Sequence, residues 1–482
     1  MSTASRFQPE RLADWAAGEW VPSAPAVING FSHNTDTVRE GDLFVAIRGT
    51  RVDGHMFVAE ARRRGACGAL VCRERVAELA STGPLLVVED PVTALQAMAA
   101  GYRRQVAAKV IGVTGSTGKT TVKELIGVML AETWRTVRTP GNWNNEIGLP
   151  LSVLAMAPDT QVGVFELGIS HPGEMAPLCR IAGPDWGVVT SVGAVHLEFF
   201  PSVEAIAREK GELLRRLPAD GVAVLSVDDP YFAVLRDEVP GRLITVSQAA
   251  EADYRLESGA TADSVIVRER ASGESCVLHM PMPGFHSRHN VLLATAVARG
   301  FGVSWRALAE GLSRYVAPRM RWETQDVGGV TLINDAYNAN PLSMRAALDT
   351  FRDLAVPGHK WLCLGDMLEL GSRSGEEHAA LGRRVAEGDW AALVTVGTLG
   401  ALLADGAIAA GWPSERVFRG AAAAEGAAFL MDRVRAGDAV LFKASRGLRL
   451  ENAVALLGER LAARSNREAS GNDGSCCTTC TT

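Results

Sequence analysis

From residue 1 to about 105, apolar runs of strand length (GDLFVAI, GALVC, PLLVVE) alternate with segments whose apolar residues recur at helical spacing (MFVAEARRRGA, PVTALQAMAAGYRRQ). This alternation predicts a small α/β unit. A second unit opens at Lys109 with VIGVTG, an apolar strand that passes directly into a glycine-rich turn and then a helix. On that helix Val122, Leu125, Ile126, Met129 and Leu130 fall at i, i+3, i+4, i+7 and i+8, which predicts one buried stripe. The runs QVGVFELG, WGVVTSVG and GVAVLSVDD continue the alternation and predict a mostly parallel sheet. Between residues 240 and 283 the short runs RLITVS, DSVIVRE and SCVLHMPM predict an antiparallel appendage. A third unit, from near Pro318, alternates GGVTLIND, KWLCLGDM, ALVTVG and DAVLFKAS with Ala-rich helical segments, a doubly wound pattern. From about Ser465 apolar residues almost vanish, and disorder is expected there.

The length agrees with this division: 482 residues exceed what one core organises. The expected boundaries are 1–106, 107–317, 318–464 and a tail at 465–482. A formal net charge of −6 argues against a non-specific nucleic-acid binder, which needs a basic face. No apolar run approaches the ~20 residues that cross a bilayer. The first residues, MSTASRFQPERLADW, lack a basic-then-apolar signal pattern, so a cytoplasmic protein is expected. Of eight cysteines, Cys67, Cys72, Cys179, Cys276 and Cys363 read as small hydrophobes. Cys477 and Cys480 form a C-x-x-C with no second pair, short of the four ligands of a structural zinc site.

The sharpest chemical feature is GVTGSTGKTT (112–121), lying between strand and helix. Gly115 and Gly118 let the backbone turn tightly, so that N–H groups from Gly115 through Thr121, by way of Ser116 and Thr117, face phosphate oxygens at a helix N-terminus. Lys119 is placed to reach terminal phosphates and Thr120 to offer its hydroxyl to Mg²⁺. Val113 stands where the strict G-x-x-x-x-G-K-[ST] pattern has its first glycine. Glu166 ends the strand QVGVFE, a common position for a metal-binding carboxylate at the carboxyl edge of a sheet.

The core TGSTGKT resembles the phosphate loop of the Mur ligase family. The resemblance extends through TPGNWNNEIGLPLSVL (139–154), FELGISHPGEM (165–175), AVHLEFFPSVEAIAREKGEL (194–213), NDAYNANPLSMRAAL (334–348), LGDMLELG (364–371) and FKASRGLRLE (442–451). GDLFVAIRGTRVDGH (41–55) resembles the N-terminal nucleotide-sugar domain of that family. The resemblance implies three α/β domains: a small UDP-sugar-binding domain, a central P-loop ATPase-like domain with a parallel sheet, and a C-terminal Rossmann-like domain. The activity implied is ATP-dependent addition of D-alanyl-D-alanine to a UDP-N-acetylmuramoyl-tripeptide. The rivals are another Mur-type amino-acid ligase or a folylpolyglutamate-synthetase-like ligase. The implied enzyme uses ATP and Mg²⁺ as a cytoplasmic monomer, with no nucleic-acid partner and no membrane span.

Residue by residue, the resemblance implies that Thr120 and Glu166 hold Mg²⁺, with His196 and Asn145 supporting a second metal or the phosphates. It implies a carbamylated Lys210 as a further metal ligand, where its helical setting alone suggests a solvated lysine. His289 and Asn290 match the adenine side, and Asp335 the nucleotide contact made across the domain gap. Arg319 and Arg321 compete for the γ-phosphate. Asn338, Asn340, Ser445 and Arg446 are candidates for positioning the dipeptide, and Asn34, Thr35 and Arg48 for the nucleotide-sugar. The sequence departs from the family's D-[ST]-R at Asn34-Thr35-Asp36, from KGSR at Ala444, and in the Asn334-Asp335 pair before YNANP. None of these departures touches the phosphate loop or the metal set.

Overall fold

The computed structural model describes residues 6–257 and 263–472, with side chains to residue 466. The chain builds three sheets. The first holds β1 (Glu19–Val21), β2 (Gly30–Ser32), β3 (Asp42–Val45), β4 (Gly68–Cys72) and β5 (Leu85–Val88), in the order β1-β5-β4-β3-β2. Only β1 runs antiparallel to its neighbour.

The central sheet holds β6 (Lys109–Thr114), β7 (Thr136–Arg138), β8 (Val162–Glu166), β9 (Trp186–Val189), β10 (Val222–Ser226), β11 (Arg242–Ser247), β12 (Tyr254–Glu257), β13 (Ser264–Glu269) and β14 (Ser275–His279). Their order is β14-β13-β12-β11-β10-β9-β6-β8-β7. The expected appendage is corrected in two ways. RLITVS is β11, parallel to β10 and β12, and the antiparallel strands β12 to β14 continue the same sheet. The parallel register places Val246 beside Tyr254, and the chain turns back only after β12. The stripe Val122, Leu125, Ile126, Met129 and Leu130 on the helix Lys119–Ala131 is wholly buried, sharing one core with Ile111, Val113 and the helix Phe285–Gly300.

The third sheet holds β15 (Glu323–Val327), β16 (Val330–Asn334), β17 (Lys360–Gly365), β18 (Ala392–Val396), β19 (Val417–Gly420) and β20 (Ala439–Lys443), in the order β15-β16-β20-β17-β18-β19. Alternate residues feed opposite faces, as the two-residue strand period requires. Leu362 and Leu364 enter one apolar cluster, and Trp361 and Cys363 the other. β15 escapes the hydrophobic pattern because it is an antiparallel edge strand with three exposed residues. The final helix, Glu451–Asn472, continues past Ser465, so residues 465–472 are helical where disorder was expected; a helix already docked through Leu457 and Leu461 is nucleated and propagates residue by residue. The rest of the tail, with Cys477 and Cys480, lies outside the described residues.

The helix Pro91–Arg103 joins the first unit to the second. Its Leu95, Met98 and Ala99 share a core with Leu43 and Leu86 on one side and Leu149, Leu178 and Phe165 on the other. Asp90 caps it, accepting from Val92 N at 3.4 Å and Thr93 N at 2.8 Å. Asp90→Ala is expected to lower stability by about 1 kcal/mol, the usual value of an N-cap, read as a lower urea midpoint at unchanged m.

Candidate active site

A cleft of about 950 Å³ opens at the carboxyl ends of β6, β8 and β9 and is closed on its far side by the third unit. Its floor is the phosphate loop. Gly115 (φ +151°) and Gly118 (φ +79°) have backbones that L side chains rarely adopt, and a Cβ on Gly115 would collide with Thr190 Oγ1. The loop after β9 braces the turn: Ser116 N donates to Ser191 O at 2.7 Å, and Thr117 N to Ser191 Oγ at 3.2 Å. Lys119 folds back to donate to Gly115 O at 2.7 Å. Burial pulls its pKa down against the attraction of Glu166, with Arg321 adding to the depression. Thr121 is buried on the first turn of the helix.

β6 and β8 pair with Val113 opposite Glu166, which brings the carboxylate beside the loop. Glu166 is 1% exposed. Its N–H donates to Thr139 Oγ1 at 3.0 Å, and its Oε1 accepts from Asn144 Nδ2 at 2.7 Å. Lys123, fully buried, ties down the preceding turn by donating to Thr139 O and Gly141 O at 2.7 and 3.0 Å. Glu166 Oε2 is buried with no partner. An unpaired carboxylate oxygen beside a buried hydroxyl, Thr120 (3% exposed), suits a cation. No group of three His, Cys, Asp or Glu side chains among the described residues could hold a metal alone. That sparse donor set fits Mg²⁺, which is commonly held by one or two carboxylates together with substrate phosphates.

Asn145 lines the cleft, as does Asn144. The Asn145 Oδ1 accepts from Ile147 N at 3.4 Å and Gly148 N at 2.9 Å, so it ends the loop and starts the next helix, while its neighbour Asn144 touches Glu166. Lys210 departs from its helical appearance. It is 1% exposed, on the inward face of the helix Val203–Arg215, and burial together with Lys119 drives its pKa well below the usual lysine range. His196 lines the cleft with Nδ1 2.6 Å from Glu369 Oε2. His289 contacts Thr190 O through Nε2 at 3.0 Å, and burial lowers its ring pKa. Asn290 lies close enough to Gly118 that a Cβ there would meet its Oδ1 at 2.7 Å.

The third unit separates the two arginines. Arg321 reaches across to donate from Nη2 to Thr120 Oγ1 at 3.0 Å, its guanidinium stacked 4.2 Å over the Tyr337 ring. Arg319 is exposed and outside the lining of the cleft. Met320 and Trp322 both have positive φ (59° and 56°), so the chain kinks on either side of Arg321. Asp335 secures the kink by accepting from Trp322 N at 3.2 Å, and its other oxygen accepts from Lys443 Nζ at 2.7 Å. Lys443, 3% exposed, also donates to Asn338 O at 3.1 Å. It went unnoticed in the sequence, although it opens the KASR string.

Asn338 and Asn340 line the cleft, with Asn340 also capping the helix Pro341–Asp353. Ser445 is buried between Ala339 O and Leu368 N. Arg446 is paired with Glu451 at 2.7 Å and does not line the cleft. Asn34, Thr35 and Arg48 also lie outside the lining. Asn34 caps its own turn, Thr35 O accepts from Arg64, and Arg48 faces Glu74 at 3.4 Å. Arg64, which also pairs with Asp36 at 2.8 Å, brings a basic group to that turn.

A phosphate loop facing an arginine supplied by a second Rossmann-like domain defines an ATP-dependent ligase. Residues 27–112 match the Mur ligase family catalytic domain, 113–298 the Mur ligase middle domain, and 319–446 the Mur ligase glutamate ligase domain. The chain belongs to the Mur ligase family. It is 36% identical to the UDP-N-acetylmuramoyl-tripeptide–D-alanyl-D-alanine ligase of Bacillus subtilis, over 89% of this chain and 93% of the relative. A MurF structure from Acinetobacter baumannii superposes with a TM-score of 0.83 at 29% identity, covering 94% of this chain and 99% of that one. The MurF ligase of Thermotoga maritima, in complex with ADP, gives a TM-score of 0.76 at 32% identity, covering 90% and 98%.

Lys443→Met leaves the half-buried Asp335 without its ammonium, and should cost about 2 kcal/mol. Lys443→Met/Asp335→Leu, which removes both charges, should recover most of that loss in urea unfolding. Equal destabilisation of the single and double variants would show that an unpaired Asp335 carboxylate carries no penalty of its own.

Proposed function

We propose that this chain joins D-alanyl-D-alanine to a UDP-N-acetylmuramoyl-tripeptide, converting ATP to ADP and phosphate and yielding the pentapeptide precursor of peptidoglycan. One observation carries the ligase chemistry: Arg321 of the third domain meets Thr120 of the phosphate loop, so both domains face one transferring phosphoryl group. The substrates follow from relatives of that name matched over nearly the whole chain. A tripeptide carboxylate oxygen attacks the γ-phosphorus and ADP leaves, giving an acyl phosphate. The dipeptide amine then adds to the acyl carbon, and the tetrahedral intermediate expels phosphate.

Gly115 to Thr121 cradle the phosphates, and Lys119 and Arg321 neutralise charge on the transferring group. Thr120 and the unpaired oxygen of Glu166 would hold Mg²⁺, which screens the phosphate oxygens when bound. Asn290 and His289 face the nucleoside side, Asp335 holds Arg321 in place, and Asn338 and Asn340 sit where the amine substrate arrives. All of these groups come from one chain, which supports a monomer. No helix among the described residues is long and apolar enough to cross a membrane, and the nucleotide substrates support action in the cytoplasm.

Burial gives Lys210 its role. A buried ammonium beside Lys119 loses its proton readily, and the neutral amine adds CO₂ to become a carbamate, an anionic oxygen donor. The carbamate at Lys210 would bind or orient a second Mg²⁺ together with His196.

Phosphate release should require ATP and both the UDP-muramoyl-tripeptide and D-alanyl-D-alanine, with the pentapeptide mass as product. Turnover with single amino acids and none with the dipeptide would overturn the assignment. Lys210→Ala should be nearly inactive and regain activity with added formate or acetate, whereas Lys210→Arg should be inactive and beyond rescue, since arginine keeps its charge and forms no carbamate. A fully active Lys210→Arg enzyme would end the carbamate reading.

A further inference from the structure

His196 and Glu369 meet across the boundary between the second and third units, and both have backbones in the left-handed region (φ +53° and +63°). Neither is a glycine, and two such residues in direct contact mark a junction that the surrounding structure enforces. Their main chains are docked as well. Glu198 N donates to Glu369 O at 3.2 Å, and Phe199 N and Phe200 N close a turn onto His196 O at 2.9 and 3.1 Å. Gly371 lies so near that a Cβ there would stand 3.0 Å from Glu198 Cα. The contact between Nδ1 and Oε2 at 2.6 Å is therefore set by backbone placement and is no chance meeting of mobile side chains.

Nδ1 of His196 stands at hydrogen-bond distance from Glu369 Oε2, and an ionised carboxylate oxygen can only accept. Nδ1 must then carry the proton, and in a neutral ring Nε2 becomes the acceptor nitrogen. His196 lines the cleft and Glu369 does not. The other nearby imidazole, His171, is engaged elsewhere, with Nδ1 on Glu174 at 2.9 Å and its ring against Phe199.

We infer that Glu369 is a positioning residue: docking of the third domain brings its carboxylate onto His196, fixes the Nδ1–H tautomer, and leaves Nε2 as the acceptor for the reaction. The second domain lacks a complete histidine until the third arrives. Domain docking thus does more than exclude water, because it also selects the form of a group that lines the cleft. The ligase reading enters only the kinetic arm of the test.

The test compares the full-length enzyme with Glu369→Gln, which keeps the size of the side chain but can also donate to Nδ1. Ring ¹⁵N–¹H correlation spectra, with His196 assigned through His196→Gln, should show the Nδ1–H tautomer in the wild type and a mixed or inverted tautomer in the variant. The kcat for pentapeptide formation should fall by roughly 10- to 100-fold, as for other orienting carboxylates, with the KM for ATP little changed. Small-angle scattering should show the same radius of gyration for both proteins. An Nε2–H tautomer in the wild type, or a variant with wild-type kcat, would overturn the inference. So would a fall in kcat accompanied by an expanded envelope, since Glu369 would then be only a latch between domains. A wild-type enzyme that releases no phosphate with tripeptide and dipeptide would overturn the ligase reading, and the tautomer would still decide the role of Glu369.

Discussion

The pairing of β6 with β8, Val113 opposite Glu166, fixes the distance between a phosphate-binding turn and an acidic side chain. The turn cannot move, because Gly115 has no room for a side chain against Thr190 and its N–H neighbours are held by the loop after β9. The carboxylate cannot move either, since Thr139 takes its backbone N–H and Asn144 holds one of its oxygens. The remaining oxygen is buried and unpaired. An open parallel sheet makes such a site at the strand where its order changes direction, here β6, with β8 on one side and β9 on the other.

The third domain adds cations and orientation that the second domain lacks. Arg321 is presented on a segment bent at Met320 and Trp322, and the bend is fastened to Asp335, which is in turn fastened to Lys443 at the end of β20. The chain of contacts runs from the core of the third sheet to Thr120 on the phosphate loop. Its cost is an ion pair largely withdrawn from water and two non-glycine residues at positive φ, features that stability alone does not favour. They are explained by the need to place one guanidinium opposite the loop.

What could be read from the sequence divides along physical lines. Local periodicity and turn chemistry gave the phosphate loop, the buried stripe from Val122 to Leu130, and Glu166 at a strand end, because each depends on neighbours within a few residues. Choices between adjacent residues were not legible. Asn144 touches Glu166 while Asn145 starts the next helix, and Arg321 rather than Arg319 enters the cleft, where the positive φ on either side turns its side chain inward. Lys443 was missed, and the helical setting of Lys210 taken alone suggested a solvated side chain, for a related reason: lysine is ordinarily exposed, and only tertiary packing shows these two to be buried. The antiparallel end of the central sheet was placed one strand too early, since short strands with turn residues between them carry no sign of direction.

The electrostatics of the cleft explain why it needs its nucleotide. Lys443 is neutralised by Asp335, while Lys119 feels Glu166 and Arg321, and Lys210 feels Lys119, in a cleft also lined by Glu146, Glu174, Asp228 and Asp229. Lys119 and Arg321 each depress the pKa of a neighbouring lysine, Arg321 that of Lys119 and Lys119 that of Lys210. Such mutual repulsion is relieved either by losing a proton or by gaining an anion. Triphosphate binding gains the anion, so its affinity draws on repulsion already present in the empty cleft, and it favours the arrangement that brings Arg321 and the loop together. The cations gathered at the phosphate loop, set against carboxylates elsewhere in the cleft, therefore direct the phosphates of a highly charged nucleotide to the loop.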